Sequence, residues 1–124
     1  MRTVVAIAVA GAVGALARYG VANVALRRHS HGFPWGTLAV NVTGAFALGL
    51  IVTLAAHKWH ASDWLRTGIT VGFLGAYTTF STFSIDTYRL ASERELGLAA
   101  VNVFASCAAA FGALYLGIVL ARSV

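Results

Sequence analysis

Apolar residues gather into four long runs, at about residues 3–26, 36–56, 64–90 and 97–121, and most charged residues fall between them. A helix needs about 20 predominantly apolar residues to cross the hydrocarbon layer of a bilayer, and each run reaches that length. The pattern predicts one all-α membrane domain over residues 1–124, with four transmembrane helices. The connections, at about 27–34, 57–63 and 91–96, are short and polar. Trp35, Trp59, Trp64, Tyr88 and Tyr115 lie near the ends of the runs, where amphipathic rings favour the headgroup level. The first run continues past Arg18 with no polar domain after it, so it reads as a membrane helix rather than a signal peptide.

The third run is unlike the others. Its centre reads Gly68-Ile69-Thr70-Val71-Gly72-Phe73-Leu74-Gly75-Ala76-Tyr77-Thr78-Thr79-Phe80-Ser81-Thr82-Phe83-Ser84. Glycine and β-branched threonine are weak helix formers. Backbone groups released by a helix break in lipid need partners, which only a packed or wet interior supplies. The run therefore reads as an interior segment, with a break expected near 75–79. The other reading is an unbroken helix whose Gly68, Gly72 and Gly75 form a small-residue packing face.

Composition agrees with a lipid-facing surface. Apolar residues make up 59% of the chain and charged residues 10%, against about 25% charged in a typical soluble domain. The net charge is +5, but the basic residues sit where headgroups would meet them, and no basic reading surface for nucleic acid appears. With four spans, Arg2, Lys58, Arg66 and Arg122 share one side of the membrane, and Arg27, Arg28, Arg89 and Arg94 the other. Orientation follows an excess of Lys and Arg on one side. A balance predicts insertion both ways, so that two copies of one sequence pair antiparallel. A chain this small also needs a second copy to enclose a pathway.

Candidate chemistry is sparse. There is no nucleophile elbow, no metal-ligand spacing and no paired carboxylate within a span, so an enzyme is not expected. His29, His31, His57 and His60 all fall in connections, and Cys107, the single cysteine, reads as a packing residue. A proton-coupled exporter of cations, such as a small multidrug transporter, needs a carboxylate at membrane depth. Only Asp86 comes close, near the end of the third run. Arg18 is the one cation that reads as embedded. It either caps carbonyls or snorkels, or it attracts an anion.

The remaining polar residues are neutral donors: Asn23, Thr37, Asn41, Thr43, Thr78, Thr79, Ser81, Thr82 and Ser84, with Asn102 and Ser106 on one face of the fourth helix. A row of amides and hydroxyls can replace the water around a small anion, although interhelical bonding accounts for such residues equally. Phe80 and Phe83 share a helical face, and the positive edge of an aromatic ring can touch an anion while excluding water. Such a pair is also ordinary packing.

Three of these stretches carry a resemblance over nearly the whole chain and in the same order. Gly72 through Ser84, quoted above, resembles the signature of the Fluc/CrcB family of fluoride channels. Gly36-Thr37-Leu38-Ala39-Val40-Asn41-Val42-Thr43-Gly44 is similar to that family's second-helix motif, and Gly11-Ala12-Val13-Gly14-Ala15-Leu16-Ala17-Arg18-Tyr19 to its first. The resemblance implies an antiparallel dual-topology homodimer with two fluoride pathways, passive export of fluoride across a microbial cytoplasmic (inner) membrane, and relief of fluoride toxicity. It implies that Phe80 and Phe83 line each pathway and that Asn41 contacts fluoride. By the same resemblance, the backbone carbonyls of Gly75 and Thr78 hold a structural sodium ion at the dimer centre. Asn102 and Ser106 match pore-lining positions, although some relatives carry Tyr or His where Asn102 stands. Thr37, Ser81 and Thr82 correspond to vestibule hydroxyls. Asp86 stands where relatives often have Glu and is assigned no fluoride contact.

Three other readings make different demands. A heterodimer with a paralogous chain predicts no flux from this chain alone. A multidrug transporter predicts a carboxylate in the first span, which this sequence lacks. A non-conducting subunit predicts that Asn41, Phe80 and Phe83 tolerate replacement.

Overall fold

The computed structural model describes residues 1–28, 32–57 and 61–124, with side chains in the first stretch described as far as residue 25. Expectations resting on His29, His31, Lys58, Trp59 and His60, and on the side chains of Arg27 and Arg28, lie outside the described residues.

All regular structure among the described residues is helical. Helix α1 spans Arg2–Arg28 and α2 spans Trp35–His57. Pro34 stands immediately before α2, where its missing N–H costs nothing, and its carbonyl accepts from the Leu38 N–H at 3.1 Å. The third run holds two helical pieces. The first, α3, covers residues 63–77 as Asp63–Thr67, a π-helical stretch Gly68–Leu74, and Gly75–Tyr77. The second, α4, spans Phe80–Ser92, and α5 spans Leu96–Ser123. Three helices, α1, α2 and α5, are long and apolar enough to cross a membrane. The chain is a multi-pass membrane protein.

Packing is closest where glycine removes a side chain. A Cβ at Gly14 of α1 would overlap the Phe73 carbonyl, and a Cβ at Gly72 would stand 2.9 Å from the Ile7 carbonyl oxygen. The backbones of α1 and the π-helical stretch therefore touch. The α2–α5 pair is built the same way: a Cβ on Gly49 would overlap the Leu114 carbonyl, and one on Gly117 the Phe46 carbonyl. In lipid, where apolar surface gains little from leaving the solvent, such backbone proximity supplies the dispersion contacts that hold helices together.

Little of the chain is buried in a single copy. The core holds Val40, Leu74, Leu90, Ala99 and Ala121, and an equal set of polar residues is buried with them: Thr37, Thr53, Thr79, Asn102 and Ser106. Phe80, Phe104, Phe111 and Tyr115 stand outward, with many smaller apolar residues. That surface suits lipid or another apolar partner and would be a liability in water.

At the third run both expected features occur, each in part. The break is confined to Thr78 and Thr79, whose backbones are extended (φ −83°, ψ 157° and φ −151°, ψ 119°). Gly75 is not part of it, since its φ of −63° and ψ of −35° are helical. Gly68 and Gly72 do form a packing face against α1, but Gly75 departs from it. The cause is the π-helical stretch. Its wider turn rotates the residues that follow away from the face set by Gly68 and Gly72, and Gly75 is exposed.

A short turn links α4 to α5. Arg94 has φ 64°, and the Glu95 and Arg94 N–H groups reach back to the Leu90 and Ala91 carbonyls at 2.9 and 3.2 Å. These two bonds satisfy the last carbonyls of α4 in the manner of a Schellman cap, with arginine where glycine is usual.

Candidate functional site at the helix break

The break persists because α2 supplies what the helix ladder lost. Thr79 N–H would ordinarily donate to the Gly75 carbonyl, four residues back. Instead it donates to Asn41 Oδ1 at 2.8 Å, while Asn41 Nδ2 donates to the Thr79 carbonyl at 3.1 Å. One side-chain amide thus pairs with both backbone groups of one residue as a strand neighbour would. Among the described residues, one of the two Nδ2 hydrogens remains unused.

Thr79 also starts α4. Its side-chain oxygen accepts from the Thr82 N–H at 3.1 Å, an N-cap bond. Its own hydroxyl donates to Thr82 Oγ1 at 3.0 Å and lies 3.3 Å from Ser81 Oγ. The Thr82 hydroxyl, having accepted, keeps its own proton. Thr78 Oγ1 bonds back to the Leu74 carbonyl at 2.9 Å.

Beside the break is a groove of about 350 Å³, whose lining includes Asn41, Thr78, Thr79, Phe80, Phe83 and Ser106 and, among the described residues, carries no charged side chain. The Phe80 and Phe83 ring centroids are 5.4 Å apart with planes at 37°, and Phe80 is 78% exposed. Such an offset pair presents ring edge as well as face to the groove. A second hollow, of about 300 Å³, also reaches the break and is lined by Gly75, Thr78, Thr70 and Gly44 among others. Gly75 and Thr78 therefore come together in this hollow, and Thr78 lines the groove of the phenylalanine pair as well. Helix α2 can approach there only because residue 44 is glycine; a Cβ would overlap Thr78 Cγ2.

The remaining candidates are placed as follows. Ser81 and Thr82 are exposed on the first turn of α4. Thr37 is buried, and its hydroxyl donates to Asp86 Oδ2 at 2.7 Å, with Arg89 4.0 Å from the other carboxylate oxygen. Asn102 is fully buried behind Ser106, outside the groove lining. Arg18 is half-buried on α1, lines neither hollow, and has no hydrogen bond or ion pair among the described residues. His57 is exposed at the end of α2.

The sequence model for the family described as "CrcB-like protein, Camphor Resistance (CrcB)" matches residues 5–118. A fluoride-specific ion channel FluC from Geobacter sulfurreducens is 48% identical over the full length of both chains. Its namesake from Geobacter metallireducens is 49% identical over 98% of each chain. A third FluC, from Geotalea uraniireducens, is 44% identical over the full length of both.

The chain belongs to the CrcB-like family.

Two residues of this CrcB-like chain escaped the sequence reading as site residues. Thr79 stood among the neutral donors, but its double use, as the partner of Asn41 and as the cap of α4, needs the tertiary structure. Thr87 carried no signal beyond lying four residues after Phe83. Its hydroxyl donates to the Phe83 carbonyl at 2.8 Å and accepts from Asn102 Nδ2 at 2.8 Å, which couples α4 to α5. Cys107, expected as a buried packing residue, instead stands exposed at the groove.

Proposed function

We propose that two copies of this chain, inserted antiparallel in the inner membrane of a microbe, form a fluoride channel that lets the ion leave the cytoplasm passively. The function rests on membership of a family whose full-length relatives are named fluoride-specific ion channels. One observation on this chain carries it to the atoms: a groove, uncharged among the described residues, in which the Asn41 amide, the Thr78 and Thr79 side chains and the Phe80–Phe83 pair meet at a helix break.

Fluoride is small and tightly hydrated, so removing its water is costly unless other donors replace it. The groove offers the Asn41 Nδ2 hydrogen left unused among the described residues and the phenylalanine rings, and the Thr82 hydroxyl stands outside its lining on the first turn of α4. None is a full charge. A site must hold the ion strongly enough for entry and weakly enough for exit, and neutral donors suit that compromise. Ser81 and Thr82, exposed on the first turn of α4, would serve the approach, whereas the Thr37 hydroxyl is buried and held by Asp86. Arg18, with no protein partner among the described residues, would draw anions toward it.

The fourth crossing is α3 and α4 in tandem. Residues 63–92 would reach about 40 Å at 1.5 Å per helical residue, enough for the hydrocarbon layer. The four-against-four division of basic residues supports dual insertion, and the outward apolar residues support a partner copy. The fit to sodium is chemical. Asn41 takes the Thr79 N–H that Gly75's carbonyl would have received, and the carbonyls that end a helix carry partial negative charge. Oxygen donors of this kind suit a hard monovalent cation, and two copies would supply Gly75 and Thr78 carbonyls in duplicate. Bound there, the ion would neutralise those helix ends.

Liposomes holding only this protein test the reading, with efflux followed by fluoride and chloride electrodes. Fast fluoride efflux, no chloride efflux and loss of flux in Phe80→Ile are expected. Folded protein that passes no fluoride would refute the homomeric channel, and flux restored by a paralogous chain would identify a heterodimer.

A further inference from the structure

Behind the groove, the polar hydrogens are ordered in one direction. Thr87 Oγ1 lies 2.8 Å from the Phe83 carbonyl oxygen, which can only accept, so the single Thr87 proton points there. The Thr87 oxygen must then accept from Asn102 at 2.8 Å, which turns the Asn102 NH₂ toward α4. Asn102 Oδ1 is left facing Ser106, whose hydroxyl donates to it at 3.3 Å. The chain of donors runs Ser106 to Asn102 to Thr87 to the Phe83 carbonyl, and every amide and hydroxyl orientation in it follows from the carbonyl at its end.

The order has a consequence for Ser106. A serine hydroxyl has one proton. With that proton turned to Asn102, the side of Ser106 that meets the groove presents lone pairs, which repel an anion. The bond to Asn102 is long, so it yields readily, but Asn102 is fully buried and its Oδ1 has no other donor among the described residues. Donating to an anion therefore costs Ser106 its hydrogen bond to a buried acceptor. We infer that Asn102, oriented by Thr87, competes with the transported anion for the Ser106 proton and so sets how tightly the groove holds that anion. Both are positioning residues, since neither lines the groove.

The inference rests on the fluoride reading and predicts an unusual sign. Thr87→Val keeps the shape but removes the group that orients the amide. Asn102 is then free to turn over and donate to Ser106, releasing the serine proton to the groove. In liposomes, the fluoride concentration giving half-maximal efflux should fall about fivefold, the worth of one ordinary hydrogen bond. The maximal efflux rate should fall with it, because a more tightly held ion leaves more slowly. Asn102→Leu, which removes the competing acceptor, should act in the same direction, so the inference stays open to refutation if one of the two variants fails to fold. Thr87→Ser should retain the wild-type value, and Thr87→Val in a Ser106→Ala background should cause no further shift. A structural bridge between α4 and α5 would instead lower the rate without lowering half-saturation. That result, or a Thr87→Val shift that survives in Ser106→Ala, overturns the inference while leaving the channel standing. Absence of fluoride efflux from the wild-type protein overturns both.

Discussion

Replacing Asn41 with alanine should separate what holds the helix break from what merely lies near it. Asn41 makes two hydrogen bonds to the Thr79 backbone, to its N–H at 2.8 Å and its carbonyl at 3.1 Å, and Thr79 is buried. If each were worth only the ~0.6 kcal/mol averaged by interhelical hydrogen bonds in membrane proteins, the loss would be about 1 kcal/mol. An orphaned buried N–H or C=O costs more, about 1–3 kcal/mol each, because no water reaches it. The extended backbone at Thr78 and Thr79 limits any return to the helical ladder, so the larger figure should govern, and we expect about 2–6 kcal/mol. Two assays read this. Thermal unfolding in detergent should show a clear drop in midpoint. Hydrogen exchange should show the Thr79 amide protected in the wild type, although it lies outside any helix, and unprotected in Asn41→Ala. A wild-type Thr79 amide that exchanges as fast as a free loop amide, or an unchanged midpoint with unchanged exchange, would refute the clamp.

Further expectations follow from the packing and caps. Gly117→Val should abolish folded protein on size-exclusion chromatography, since the new side chain meets the Phe46 carbonyl and the Leu50 backbone nitrogen, neither of which can rotate away. Arg94→Gly should raise the unfolding midpoint by the equivalent of about 0.5–1 kcal/mol, because φ 64° strains a residue with a Cβ. Thr37→Val should cost about 1–2 kcal/mol through the lost bond to the Asp86 carboxylate. Arg89→Ala should change stability by less than about 0.5 kcal/mol, since its contact with Asp86 is long and exposed. A double-mutant cycle would distinguish the two.

Much of this protein was legible in its sequence. Long apolar runs and scarce charge dictated membrane helices, because the bilayer admits few other backbone arrangements, and α1, α2 and α5 fall within two residues of their expected limits. Glycine and threonine in the third run announced a departure from regular helix, since both lower helix propensity whatever surrounds them. Of the candidate residues that meet in the groove, Thr78, Phe80 and Phe83 came from one stretch of the third run, and Asn41 and Ser106 from the second and fourth. What the sequence left open was decided by contacts far apart in the chain. Local propensity could place a break anywhere from 75 to 79; the Asn41 amide, 38 residues from Thr79, selected the peptide it could pair with. The π-helical stretch rotated Gly75 off the packing face, a matter of backbone registry against α1 that no spacing rule contains. Asn102 and Ser106 shared a face on any helical wheel. Only the tertiary structure turned one inward to Thr87 and the other to the groove, because the direction of a hydrogen bond depends on which partner has no proton to give.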